Sequence, residues 1–400
     1  MVKKIHLIIL AIIVLISIGC SSQTLTSAST STKQQVTKTS ATSTPVILAE
    51  QGTTDAKTVW ENAVIQRFST LYNNYSAVYY GATPDGRYLF GKLLPIYYQP
   101  TSGRDLPEEI VLYSVGIGSE RIIAVSPDLN HSYGGLSADN QWLTFYLRNL
   151  PGLSNSLNWT LYAYNITSGL TIIVEHNTAG SGMYPNAQIS NGKIAWTTYN
   201  GPATLDQSEA SVQVMDLATQ RRQIIATHAG DVTFSWPWIG WGQVTGVDNN
   251  GNPTGNESFE NLLTNEKLSL PFQASEMILS GTSLVYVPIS GPPAFYIPDI
   301  RNPTTAVQVI PSEMNQNTFS FNGRYIGWSG NDLPKVYDIQ QRLLIMLPLK
   351  YNAVPSEFSI VANNLILWNE DPNSAQQEAS AGVKQLNLPL IESILYLPNS

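Results

Sequence analysis

One short phrase restricts the possible folds of this chain more than any other feature. Asn322-Gly323-Arg324-Tyr325-Ile326-Gly327-Trp328 returns in variant form so that seven related phrases end at Phe90, Phe145, Trp196, Trp241, Tyr286, Trp328 and Trp368. Each copy reads as a tight turn, where Gly or Asn takes a positive φ cheaply, followed by a strand of alternating bulky residues. Successive copies are 55, 51, 45, 45, 42 and 40 residues apart. Around the phrase the same order recurs: a short first strand, the phrase strand, a variable loop, a third strand, a polar turn and a fourth strand. Segments 143–147, 159–165 and 171–175 show it, as do 318–321, 325–328, 335–339 and 342–347. A period of this size built from four short strands is the signature of a propeller blade. The expected fold is therefore all-β, a β-propeller of four-stranded blades, with seven blades ahead of six or eight. A β-sandwich, the main rival, has no reason to repeat one turn-strand-aromatic phrase.

The turns Thr83-Pro84-Asp85-Gly86-Arg87-Tyr88 and Ser126-Pro127-Asp128 extend the pattern, as do the third strands Val214-Met215-Asp216-Leu217 and Val336-Tyr337-Asp338-Ile339. They resemble the S-P-D-G-R turns and I-Y-V-x-D-L strands of TolB-type propellers, a group related to the Trp-Asp repeat proteins. The resemblance covers residues 75–398, and only the first blade keeps Pro-Asp-Gly-Arg intact. It implies a fold more than an activity, because such propellers serve as scaffolds, binders and hydrolase domains alike.

The first twenty residues carry a different signal. Lys3 and Lys4 precede an apolar run, 5–18, that ends in Gly19-Cys20. This resembles a bacterial lipoprotein signal peptide whose Cys20 receives the lipid, although Ser17 stands where a Leu-like residue is usual. An ordinary signal peptide or an uncleaved anchor are the alternatives, and all three export the chain. Cys20 is the only cysteine, so the folded part holds no internal disulfide. Residues 21–54, rich in Ser and Thr, read as a flexible tether reaching about 30 Å, and residues 55–400 as the propeller domain. The segment 59–65 reads equally well as a short helix or an outer strand.

Hydrophobic residues make up 43% of the chain, which suffices for a large interior, whereas charged residues are only 12%. The formal net charge is −8 and no Lys/Arg cluster follows the leader, which argues against a nucleic-acid partner.

The seven phrase-ending aromatics are expected to pack between blades and not to form a sugar-binding ring. His131, His176 and His228 all fall near blade ends and are the candidate binding residues. Three histidines can hold zinc, but they lack a zinc-ligand spacing, so no metal is expected. Residues 248–252 alternate oxygen-bearing side chains like a calcium loop, yet Phe259 stands where the bidentate Glu belongs. No Gly-x-Ser-x-Gly, phosphate-cradling loop or zincin motif occurs, and Glu108-Glu109, Glu370-Asp371 and Asp299 read as solvated loop acids. No catalytic residue and no cofactor are assigned. The expected function is that of an exported, lipid-anchored, non-catalytic binding or scaffolding module on the outer face of a membrane in the cell envelope. A protein or glycan partner would meet one propeller face, where the loops 91–108, 148–158, 200–210 and 246–256 gather. The alternative is a propeller hydrolase or lyase acting on extracellular polysaccharide or peptide.

Overall fold

The computed structural model describes residues 46–47, 53–60, 63–68, 71–72, 75–95, 106–150, 158–177, 183–199, 210–247, 253–290, 293–310, 319–329, 334–349, 360–362, 365–370 and 391–397. The leader, Cys20, most of the tether and the loop 248–252 lie outside the described residues. Seven sheets of four or five strands, antiparallel except for two short N-terminal edge strands, form the blades of an all-β propeller. The first strands are Tyr75–Ala82, His131–Ala138, Ala187–Ser190, Ala229–Ser235, Ala274–Ser280, Phe319–Phe321 and Ile360–Val361. Each touches the first strand of the next blade, and the seventh touches the first, so the ring is closed. We call the face where these strands begin the upper face.

Seven hydrophobic clusters fill the seven seams between blades, one cluster to a seam. The phrase-ending aromatics sit in these seams with at most 8% exposure, as wedges would. Six pack against the preceding blade, from Phe145 on blade 1 to Trp368 on blade 6. Phe90 differs and faces blade 2. Counting from the turn, Asp85 matches Asn322, so Phe90 falls one residue short of the Trp328 position, and strand alternation turns it to the other side. Gly91 takes the Trp328 position, and a Cβ there would lie 2.0 Å from the Val78 carbonyl oxygen.

The repeated turns have a common cause. Asn322 Oδ1 accepts from the backbone N–H groups of Arg324 (3.0 Å) and Tyr325 (2.8 Å), and Asp139 Oδ1 does the same for Gln141 (2.8 Å) and Trp142 (2.7 Å). Asx turns of this kind fix the entry into these second strands. A second set closes the third strands, where Asp216 and Asp338 each accept two backbone N–H groups of the following turn.

A side-chain ladder joins the first strands of blades 2 to 5. Ser137 and Asp139 accept from the backbone of Ile189 and Gly192, Gln188 and Ser190 from Phe234 and Trp236, and Thr233 and Ser235 from Leu279 and Gly281. Ascending acceptors meet ascending donors, so neighbouring first strands run the same way. The ladder satisfies backbone donors that the innermost strand of a sheet cannot pair within its own blade.

The N-terminal segment belts the last three blades. Val46–Ile47 adds in parallel to the outer edge of blade 5, and Thr53–Asp55 to that of blade 6. The first strand falls inside the stretch 21–54 that reads as a tether, and the second straddles its end. Segment 59–65 straddles a helical turn, Ala56–Val59, and an outer strand, Val64–Phe68, so both readings of it hold in part. That outer strand pairs with Ile391–Tyr396 and completes blade 7. Its Arg67 Nε reaches Glu370 Oε1 at 3.2 Å, a carboxylate with 0% exposure that also accepts from Trp368 Nε1 and Ser393 Oγ.

Candidate functional site

The upper face is built from the starts of first and third strands and the ends of second and fourth strands. On it the second strands of blades 1 to 4, Tyr88–Pro95, Trp142–Asn149, Lys193–Tyr199 and Trp238–Val247, run 8, 8, 7 and 10 residues. Those of blades 5, 6 and 7, Ser283–Pro288, Tyr325–Ser329 and Leu365–Glu370, run 6, 5 and 6. Four adjacent blades thus carry long second strands, and these lead into the loops 91–108, 148–158, 200–210 and 246–256. The described part of those loops is limited to their ends.

Acids gather at the same end of the ring. Glu257, midway along the nine-residue third strand of blade 4, Pro253–Asn261, is 2% exposed, and its Oε1 accepts from the backbone N–H of Ala274, the first residue of the first strand of blade 5, at 2.8 Å. Its Oε2 is buried without a hydrogen-bond partner among the described residues. Loss of solvent pushes this carboxyl up to about 7, the Ala274 N–H opposes the rise, and the negative charge of Asp231 adds to it. Glu276, two residues along from Ala274, also has an unpartnered Oε2 and is pushed up to about 7 by burial alone. Tyr199, 5% exposed at the end of its strand on blade 3, is raised by burial and by the Asp231 charge. On blade 1 Glu108 takes a place like that of Glu257, accepting the Tyr133 N–H of the next blade and pairing with Lys92 Nζ at 3.3 Å. A carboxyl that titrates near neutrality can hold or pass a proton, or take a cation once ionised.

The three candidate histidines lie at this same end, each with a local partner or role. His131 begins the first strand of blade 2, with Nδ1 2.7 Å from Asp128 Oδ1, and His176 Nδ1 lies 2.6 Å from Thr160 Oγ1 near the end of the fourth strand. His228 takes φ +54° just before blade 4, and its carbonyl accepts from Gln243 Nε2 at 3.0 Å. No group of three or more His, Cys, Asp or Glu side chains among the described residues is placed to hold a metal ion. The reading of the paired acids needs correction: Glu108 is 4% and Glu370 0% exposed, so both are buried partners of cations and not solvated loop residues. Sequence reasoning passed over Asp231, Glu257 and Glu276. The available signal was a charged residue inside an otherwise alternating strand, as in Ala274-Ser275-Glu276-Met277-Ile278-Leu279.

No family model matches the chain. No curated protein matches it either. Among solved structures it is similar to TolB from Acinetobacter baumannii, at 14% identity and a TM-score of 0.40 over 61% of this chain and 60% of that one. It is also similar to a prolyl endopeptidase, at 10% identity and a TM-score of 0.49 over 77% of this chain, and spans only 46% of that protein's length. An oligogalacturonate lyase from Vibrio parahaemolyticus aligns at 10% identity and a TM-score of 0.40, over 84% of this chain and 98% of its own.

Proposed function

We propose that the protein is an exported binding module, tethered by lipid at Cys20 to the outer face of a membrane, that offers its upper face to a protein or glycan partner without transforming it. One observation carries the reading: the second strands of four consecutive blades run longer than those of the other three and lead into the chain's long loops at the upper face. Loops held on a rigid scaffold are where recognition is commonly placed. A second reading, a hydrolase or lyase of extracellular polysaccharide or peptide, is favoured by the unpartnered oxygens of Glu257 and Glu276 on the same face.

The two readings separate on one experiment. Immobilised protein is offered a panel of polysaccharides and peptides, and both the retained material and the eluate are sized. Retention of intact material, lost when residues 200–209 are replaced by a short Gly/Ser linker, supports the binding module. Cleavage abolished by Glu257→Gln or Glu276→Gln replaces it with the enzyme. Membrane anchoring is tested separately, since Cys20→Ser should release the protein from the membrane fraction.

A further inference from the structure

The lower face holds a cleft of different character. It lies between blades 3 and 4, has a volume of 430 Å³, and is lined chiefly by Lys193, Asp216, Thr219, Arg221, Arg222 and Trp236. That volume falls within the range of roughly 300–1,000 Å³ typical of small-molecule sites. We propose that it binds a small organic anion, a carboxylate carried on a sugar or aromatic ring. The proposal is independent of the role given to the upper face.

The fold makes a gap at this place whatever the sequence. The corresponding cleft between blades 1 and 2 is smaller, 270 Å³, and is lined by Tyr88, Ser114, Ser119 and Arg121, whose guanidinium is taken up by the Ile166 carbonyl. Tyr88 and Lys193 both begin second strands, Ser114 and Asp216 both end third strands, and Ser119 and Arg221 both begin fourth strands. The seam explains the gap, but it does not explain the charge.

Arg221 is the residue that departs. The turn before each of five fourth strands ends in a residue of positive φ: Gly118, Gly169, Gln220, Asn265 and Arg342. The residues that follow are Ser119, Leu170, Arg221, Glu266 and Leu343, so only blade 3 places a cation there. Its side chain is exposed and makes no ion pair or side-chain hydrogen bond among the described residues.

The neighbouring charges are already matched. Lys193 Nζ lies 2.6 Å from Asp216 Oδ2, and Arg222 Nη2 lies 2.9 Å from Glu175 Oε2. Asp216 is fixed in place, because its Oδ1 accepts from the Ala218 and Thr219 backbone and the Thr219 hydroxyl. One positive charge is therefore left over in a chain of net charge −8. Beside it stands the half-buried indole of Trp236, with Lys193 Nζ 4.6 Å from the ring centroid, and the apolar Val214 and Leu262. A guanidinium fork takes a carboxylate in two parallel hydrogen bonds, and an indole face takes a ring. Together they select a ring that carries one carboxylate.

The test is isothermal titration of the folded full chain at low salt with glucuronate and with benzoate, alongside glucose and benzamide as their neutral counterparts. At least one carboxylate should bind one-to-one and about tenfold or more tighter than its counterpart, the sugar and aromatic arms telling which ring the site prefers. Arg221→Gln should remove that preference, whereas Arg121→Gln in the blade 1/2 cleft should leave it, with both variants melting like the parent. The proposal is overturned if neither carboxylate binds below about 10 mM, if the neutral compounds bind equally, or if Arg221→Gln changes nothing.

Discussion

Two buried threonines should respond in opposite directions to one substitution. Thr233, on the first strand of blade 4, and Thr197, on the second strand of blade 3, are both 0% exposed. The Thr233 hydroxyl accepts the Leu279 backbone N–H at 3.0 Å and forms a rung of the ladder between blades 4 and 5. The Thr197 hydroxyl has no hydrogen-bond partner among the described residues. Thr→Val keeps the shape and replaces hydroxyl by methyl. At residue 233 the change strands a buried N–H, which costs about 1–3 kcal/mol, offset in part by the added apolar surface. The expected net loss is about 1–2 kcal/mol. At residue 197 the change removes a hydroxyl that was desolvated without compensation, a gain of about 1 kcal/mol. Urea unfolding at pH 7, with both variants compared at a common m value, measures the two shifts. Shifts of the same sign, or a Thr233→Val midpoint equal to the parent's, would refute the claim that the ladder stabilises the ring.

Three further perturbations follow from the same geometry. Glu257 has a folded pKa of about 7, above its ordinary value of 4.5, so the folded state holds the extra proton between those limits. Stability from this group is complete below about pH 4.5 and is lost as pH rises through 7, a span of order 3 kcal/mol, and Glu257→Gln should flatten the stability profile across that window. A steeper profile in the variant would contradict the assignment. Arg67→Met leaves the buried Glu370 short of its cation at the closure of blade 7. Because Arg67 is 27% exposed, the cost should be about 2–3 kcal/mol, below the ~3–5 of a fully buried pair, read as a lower chemical-denaturation midpoint. Trp328→Ala empties a wedge that is 2% exposed between blades 5 and 6, and should cost about 3–5 kcal/mol in the same assay. A variant that melts like the parent but loses a ligand would make Trp328 a recognition residue instead.

Repetition is what made the fold legible. A propeller blade buries both faces against neighbours, so turn, strand and aromatic must recur at each seam, and seven copies of one phrase reveal the ring. Where a copy slips, so does the inference: Phe90 ends the phrase on the wrong parity and serves the opposite seam. The N-terminal belt left no such trace. Val46–Ile47 and Thr53–Asp55 add to sheet edges through backbone groups, which impose almost no side-chain pattern on two or three residues. Glu257 and Glu276 were hidden for another reason. Their character depends on which oxygens the next blade leaves without a donor, and that is decided by residues distant in sequence.

The same contrast says where function should be sought. Asp216 and Asp338 end equivalent strands, cap equivalent turns and each take a cation from the start of the neighbouring second strand, Lys193 at 2.6 Å from within it and Arg324 at 3.0 Å from the residue before it. A carboxylate-cation pair that recurs at a fixed blade position belongs to the architecture, however much it resembles a site. The Asp216 carboxyl, held down to about 2 by the Lys193 hydrogen bond above all, is accordingly a turn lock that stays ionised through any ordinary pH. Arg221 follows that lock by five residues and has no cationic counterpart in the four blades whose turns match. Packing does not demand its charge, no carboxylate in the described structure answers it, and the cleft beside it is large enough for a molecule that could.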